Sequence, residues 1–365
     1  MRKSILLLLV LTLAMGIFVG CTSNEEDPVE EDDVVVEENG EETEEETEAA
    51  DGEIMKLGLG QTVSLSGTDA EGEDTAKGQV NVTMAALGLD ADDKIASVSI
   101  DTVQGKVEFD EDLAIDYDEE VLTKKELKED YGMKDISEID KEWYEQMEAF
   151  EDWMIGKTVD EVLDLEVFER DENHQHVPAD EDLTSTVTIT VEGYLAALED
   201  AANNLIDVEG AETVGLGVEP SLAKSTGLDG DTTPKIQFDV TYAAFAFNGE
   251  EVVDSIVDVV QPTIEFDEAG VVVSDLDEEV LSKKELEEDY GMKKVSEIEK
   301  EWYEQMEAFE EWMMGKTMDE IQDIEVFERD EAYTHVPADE DLTSSVTITV
   351  DGYLAAAEKA AANKK

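Results

Sequence analysis

The sequence predicts an α+β fold in two tandem copies, each a small antiparallel sheet followed by helices. Three observations predict it. Alternating apolar and polar segments rich in Val and Ile open each copy, and helical-period apolar stripes close it. Residues 119–204 also recur as 278–363 without a gap, 159 positions further on. Within that stretch the eleven residues from Lys141 to Glu151 return verbatim from Lys300 to Glu310, and those from Val177 to Ser185 return from Val336 to Ser344. Upstream the match is weaker: Val82-Thr83 answers Val240-Thr241, and Glu108-Phe109-Asp110 answers Glu265-Phe266-Asp267.

The elements follow in order. Residues 79–86 and 94–102 alternate as half-buried strands do, with Asp90 to Asp93 as the turn between them, and 106–110 forms a third strand. A charged helix covers 121–131 and stops at Gly132. The next, 141–155, carries Trp143, Met147, Phe150 and Met154 on one stripe, because their spacings are 4, 3 and 4. A short helix at 159–165 comes before a last one at 191–203, with Val191, Leu195, Leu198 and Ala202 facing inward and Thr190 as the N-cap. Each copy, 54–204 and 214–365, is long enough for its own core and is expected to fold alone, joined by a linker at 205–213.

Charge narrows the function classes. The 365 residues hold 98 Asp and Glu against 25 Lys and Arg, a net charge of −73. Nucleic-acid binding is excluded, because Lys and Arg must neutralise phosphates there, and so is a polybasic membrane-surface role. Apolar residues at 41% still suffice for cores. Self-repulsion of this size is relieved by salt, which points to a halophilic setting of high ionic strength.

The N-terminus reads as an address. Arg2 and Lys3 precede an apolar run over 5–19 that is too short to span a bilayer and has the order of a secretory signal. Phe18-Val19-Gly20-Cys21 resembles a bacterial lipobox. That resemblance implies a signal peptide at 1–20, a diacylglycerol on Cys21, and an extracytoplasmic protein anchored to the bacterial cell membrane. Residues 21–53 are an acidic tether without Lys or Arg, extended by like-charge repulsion.

Few side chains could do chemistry. Cys21 is the single cysteine, which excludes an intramolecular disulfide, a thiolate zinc site and an iron–sulfur cluster. There is no phosphate loop, metalloprotease His pair or nucleophile elbow, so a hydrolase has no constellation behind it. His174 and His176 flank Gln175, but the second copy has Tyr333 and His335, and loop histidines in water explain both. Trp143, Trp153, Trp302 and Trp312 could stack on a flat ligand; their helical spacing favours the core.

One motif stands out. Asp182-Leu-Thr-Ser-Thr-Val-Thr188 precedes the last helix of the first copy, and Asp341-Leu-Thr-Ser-Ser-Val-Thr347 that of the second. Here the chain resembles the FMN-binding domain family of bacterial surface lipoproteins, whose members carry Asp-x-x-Ser/Thr-Gly-Ala-Thr/Ser ahead of a terminal helix. The resemblance implies FMN esterified to Thr188 and Thr347 by an FMN transferase, a redox partner, and electron transfer outside the cell. Asp182, Ser185, Asp341 and Ser344 match the motif. Thr186-Val187 and Ser345-Val346 stand where the family has Gly-Ala, which allows a close backbone approach or positive φ. Read without the family, the Thr/Ser run is a strand and helix cap. A cofactor-free surface binding module that kept the fold is therefore the alternative.

Overall fold

The first strand, β1 (Ile54–Thr68), pairs along its length with β2 (Lys77–Leu89), which pairs with β3 (Ile95–Phe109); all three run antiparallel, and the short β4 (Ile115–Asp116) closes that edge. The computed structural model describes residues 52–365 apart from 73, 118, 119, 172, 173, 331 and 332. The signal segment, Cys21 and the tether up to residue 51 lie outside the described residues. After the strands come α1 (Lys124–Leu127), α2 (Trp143–Met154), α3 (Val159–Leu163), the hairpin of β5 (Val167–Phe168) and β6 (Val177–Pro178), and α4 (Glu192–Asn203).

The chain then returns to its first sheet. The expected linker is a strand, β7 (Leu205–Ala211), hydrogen-bonded to β1 as the fifth strand in the order β4-β3-β2-β1-β7. The second copy supplies β8 (Thr213–Ser221), β9 (Lys235–Gln237), β10 (Asp239–Asn248), β11 (Glu251–Val260) and β12 (Thr263–Glu265). Of these, β11-β10-β8 form one antiparallel sheet and β12-β9 a second pair. Its helices are α5 (Lys283–Leu286), α6 (Trp302–Met313), α7 (Met318–Gln322) and α8 (Asp351–Ala362), with a hairpin of β13 (Val326–Phe327) and β14 (Val336–Pro337) before α8.

Burial on both faces of each sheet explains the layering. Along β2, Val80, Val82, Met84 and Ala86 enter a core shared with β8 and β10. Ala85, Leu87 and Leu89, on the opposite face, pack under Trp143, Met147, Phe150 and Met154 of α2. In the second copy Val240, Tyr242, Ala244 and Ala246 face the shared core, and Ala243, Phe245 and Phe247 face α6 and α8. The result is four layers, helices–sheet–sheet–helices, with the two sheets face to face.

The two copies therefore share a core, where the sequence leads us to expect each copy to have only its own. Phe109 and Phe266 meet edge to face at 5.1 Å across the copies. Gly105 lies under Phe238, whose ring a Cβ there would approach within 2.8 Å. Backbone bonds also cross, from Ala70 to the Gly270 carbonyl at 2.9 Å and from Leu228 to that of Leu113 at 2.9 Å. The described residues form one compact unit.

Other boundaries moved for local reasons. The strands expected at 94–102 and 106–110 are one strand, since β2 pairs across 102–105 without interruption. The helix expected at 121–131 starts later, where Thr123 and Glu126 form a capping box, and after α1 it tightens into a 3₁₀ turn up to Gly132 at φ 73°. Thr190 is not a cap: Val191 is the N-cap residue of α4, and the Thr190 hydroxyl is buried without a partner. Leu195 and Ala202 are only partly buried, while Tyr194, Ala197, Leu198 and Ala201 are the buried residues on that helix. The turn at Asp90 and the stripe on α2 are as expected. Trp143 and Trp302 are core residues, each donating its indole N–H to a buried tyrosine, Tyr194 at 2.8 Å and Tyr353 at 2.9 Å.

Candidate functional site

The two threonine motifs fold alike. Leu183 and Val187 are buried anchors, and between them the chain makes a turn rather than the expected strand. Thr186 and Ser345, at the family's glycine position, keep negative φ and donate their hydroxyls to the carbonyls of Leu183 and Leu342, both at 3.2 Å. No backbone strain in this chain calls for glycine there.

Thr188 is half-buried, and both its N–H and its hydroxyl donate to Gln146 Oε1, at 2.8 and 3.2 Å. Its carbonyl accepts from Arg170 at 3.0 Å. Thr347 repeats this with Gln305, at 2.9 and 3.2 Å, and with Arg329, at 3.2 Å. Gln146 and Gln305 are fully buried, and neither was singled out in the sequence among so many polar residues. Asp182, Ser185, Asp341 and Ser344 stay on the exposed turns. Beside Thr347 is a crevice of about 40 Å³, where the Arg329 guanidinium stacks 3.9 Å from the Tyr333 ring centre.

The histidines do not form a pair. His174 Nδ1 lies 2.8 Å from Asp171 and His176 Nδ1 lies 3.2 Å from Glu192. Among the described residues no group of three His, Cys, Asp or Glu side chains is placed to hold a metal ion. Nor is any helix there long and apolar enough to cross a membrane.

Besides an opening of about 460 Å³ over the ends of β1, β2 and β3, lined by Ser66, Lys77, Lys106 and Glu108, two related clefts lie where the end of one copy's last helix meets the other copy. In each, a lysine one residue into the first short helix, Lys125 or Lys284, reaches a buried glutamate of the long helix. Lys125 Nζ lies 2.6 Å from Glu151, which also accepts from the Ile100 N–H at 2.6 Å. Lys284 Nζ lies 2.8 Å from Glu310, which accepts from the Val257 N–H at 2.6 Å. Buried aspartates, Asp101 and Asp258, accept from the backbone N–H groups of those lysines at 3.2 and 3.1 Å. Burial pushes both aspartates up to about 6 and Glu310 up to about 7.

The clefts differ in what α4 and α8 bring to them. In the cleft around Glu151, Lys359 bridges Glu126 and Glu219 at 3.1 and 3.0 Å, and the Lys365 ammonium contacts Glu151. With Lys125, Lys128 and Lys364 these side chains leave two openings of about 280 and 400 Å³. In the cleft around Glu310 the counterparts of Lys359 and Lys365 are Asp200 and Ile206. That cleft is a single opening of about 560 Å³ lined by eight carboxylates against one lysine, Lys284. Burial raises Asp200 and Asp254 as well. Ser255, 2% exposed, borders it, and its buried hydroxyl has no partner.

Comparison with protein-family models, with curated proteins and with solved structures finds no match for this chain.

Proposed function

We propose that this chain is an extracytoplasmic binding lipoprotein, anchored through a lipid on Cys21, whose duplicated halves form a cofactor-free binding module above the acidic tether. One contrast carries the reading. The crevice beside Thr347 is about 40 Å³, whereas the acidic cleft, at about 560 Å³, lies in the range of roughly 300–1,000 Å³ that small-molecule sites occupy. The threonine hydroxyls also have a partner already, in Gln146 and Gln305.

A second reading has one observation in its favour. Thr188 and Thr347 hold matching, half-buried positions in both copies, which suits FMN esterified to each by an FMN transferase, a flavin electron carrier and a redox partner. Production of the full chain alongside such a transferase, followed by intact mass and a denaturing gel under ultraviolet light, separates the two. The binding-protein reading expects an unmodified polypeptide and a dark band. A flavin-sized mass increase that disappears in Thr188→Ala/Thr347→Ala would establish the electron carrier instead. For the anchor, Cys21→Ser is expected to move the protein from the membrane fraction to the soluble one.

A further inference from the structure

Glu151 receives two ammonium groups, from Lys125 and Lys365, and Glu310 receives one, from Lys284. The difference lies in the segment after the last helix of each copy, where Ile206 stands in the place of Lys365 and Asp200 in the place of Lys359. The lysine-lined cleft thus holds two side-chain ammoniums on alkyl stems that its counterpart lacks. In the counterpart the carboxylates that would meet them, Glu310 and Glu285, line an open cavity.

We propose that this acidic cleft binds a linear alkylamine, a di- or polyamine, with one ammonium on Glu310 where Lys365 stands on Glu151. The inference rests on the binding-protein reading and names its ligand class. Three features fit that chemistry. Leu59, Leu205, Ile206 and Met314 give the cleft apolar walls along which a methylene chain can lie, as lysine stems do. Ser255 borders the same cavity with its hydroxyl buried and unpartnered, and a buried polar group of this kind costs free energy until it is satisfied. Lys284 beside Glu310, together with the lack of a three-ligand group among the described residues, disfavours a divalent ion.

Calorimetric titration of the full chain with spermidine, at fixed ionic strength, tests this. Saturable binding at one site is expected, with Mg²⁺ at equal ionic strength competing no better than Na⁺. Glu310→Gln should weaken binding about tenfold or more, the usual scale for a charge-assisted contact. Asp200→Lys and Ile206→Lys copy the lysines of the other cleft and should abolish it; Asp200→Lys, on a partly exposed helix end, serves alone if Ile206→Lys lowers the melting temperature. Absence of saturable binding, equal competition by Mg²⁺, or affinity unchanged in a folded Asp200→Lys variant would overturn the proposal. The intact mass of the same preparation reports on the role separately: a flavin-free protein that ignores spermidine has lost only its ligand, and a flavin on Thr188 or Thr347 removes the role itself.

Discussion

Gly217 on β8 lies directly beneath Ala356 on α8, so that a Cβ at Gly217 would stand 1.8 Å from the Ala356 carbonyl oxygen. Gly60 on β1 stands in the same relation to α4, 2.1 Å from the Ala201 nitrogen. Each helix rests on bare strand backbone, with alanines on its own side of the contact. Helix and strand backbone cannot yield as a flexible side chain can, so Gly217→Ala and Gly60→Ala should each destabilise by at least the roughly 1–3 kcal/mol of core overpacking. Thermal unfolding measures it. A variant as stable as the parent would mean that the helix has room to lift.

Phe109 and Phe266 tie the copies together, at 5.1 Å and both about 1% exposed. Phe109→Ala and Phe266→Ala should each cost about 3–5 kcal/mol. Because they share one contact, the double variant should lose less than the sum. Calorimetry should show a single cooperative transition for 54–365. Two resolved transitions, or strict additivity, would restore the picture of independent domains.

The stripe on α2 was legible because its period is purely local and its residues recur unchanged in α6. β1 was not, since Gly58 and Gly60 interrupt its apolar alternation, and their purpose becomes visible only when Ala197 and Ala201 sit on them. Residues 205–213 look like a linker because they are acidic and hold Gly210, whereas their hydrogen-bond partner, β1, lies far away in sequence. The Thr188 motif was found by its pattern, but the role of Gln146 depends on α2 reaching the turn, which no spacing reveals. Lys359 against Asp200 was open to a comparison of the copies. Its meaning required knowing that each helix end faces the other copy's buried glutamate.

Salt should stabilise this protein. With a net charge of −73, the folded chain is under self-repulsion that falls as the screening length drops from about 10 Å at 0.1 M to about 3 Å at 1 M. The melting temperature should therefore climb between 0.1 and 1 M NaCl, and with KCl in parallel, because screening is not ion-specific. A fall over that range would rule out the reading of a high-salt setting.

Acidity should act in the same direction, through named groups. Asp101 and Asp258 are raised to about 6 and Glu310 to about 7, each chiefly by burial. A carboxyl whose pKa is higher in the folded state binds its proton more tightly there than in the unfolded chain. Its contribution is therefore complete below the unfolded value of about 4 and is lost as the pH rises through the folded one. Lys124 and Lys283, lowered to about 8 by burial, act with the opposite sign and only from about that pH upward. Stability should thus decline from pH 5 to pH 7.5 at constant ionic strength. Glu310→Gln, which cannot ionise but keeps the shape, should flatten the upper part of that decline, between about pH 6 and 7.5. Chemical denaturation of both proteins across this range checks it, and a slope unchanged by Glu310→Gln would show that the general negative charge, rather than this buried carboxyl, sets the pH dependence.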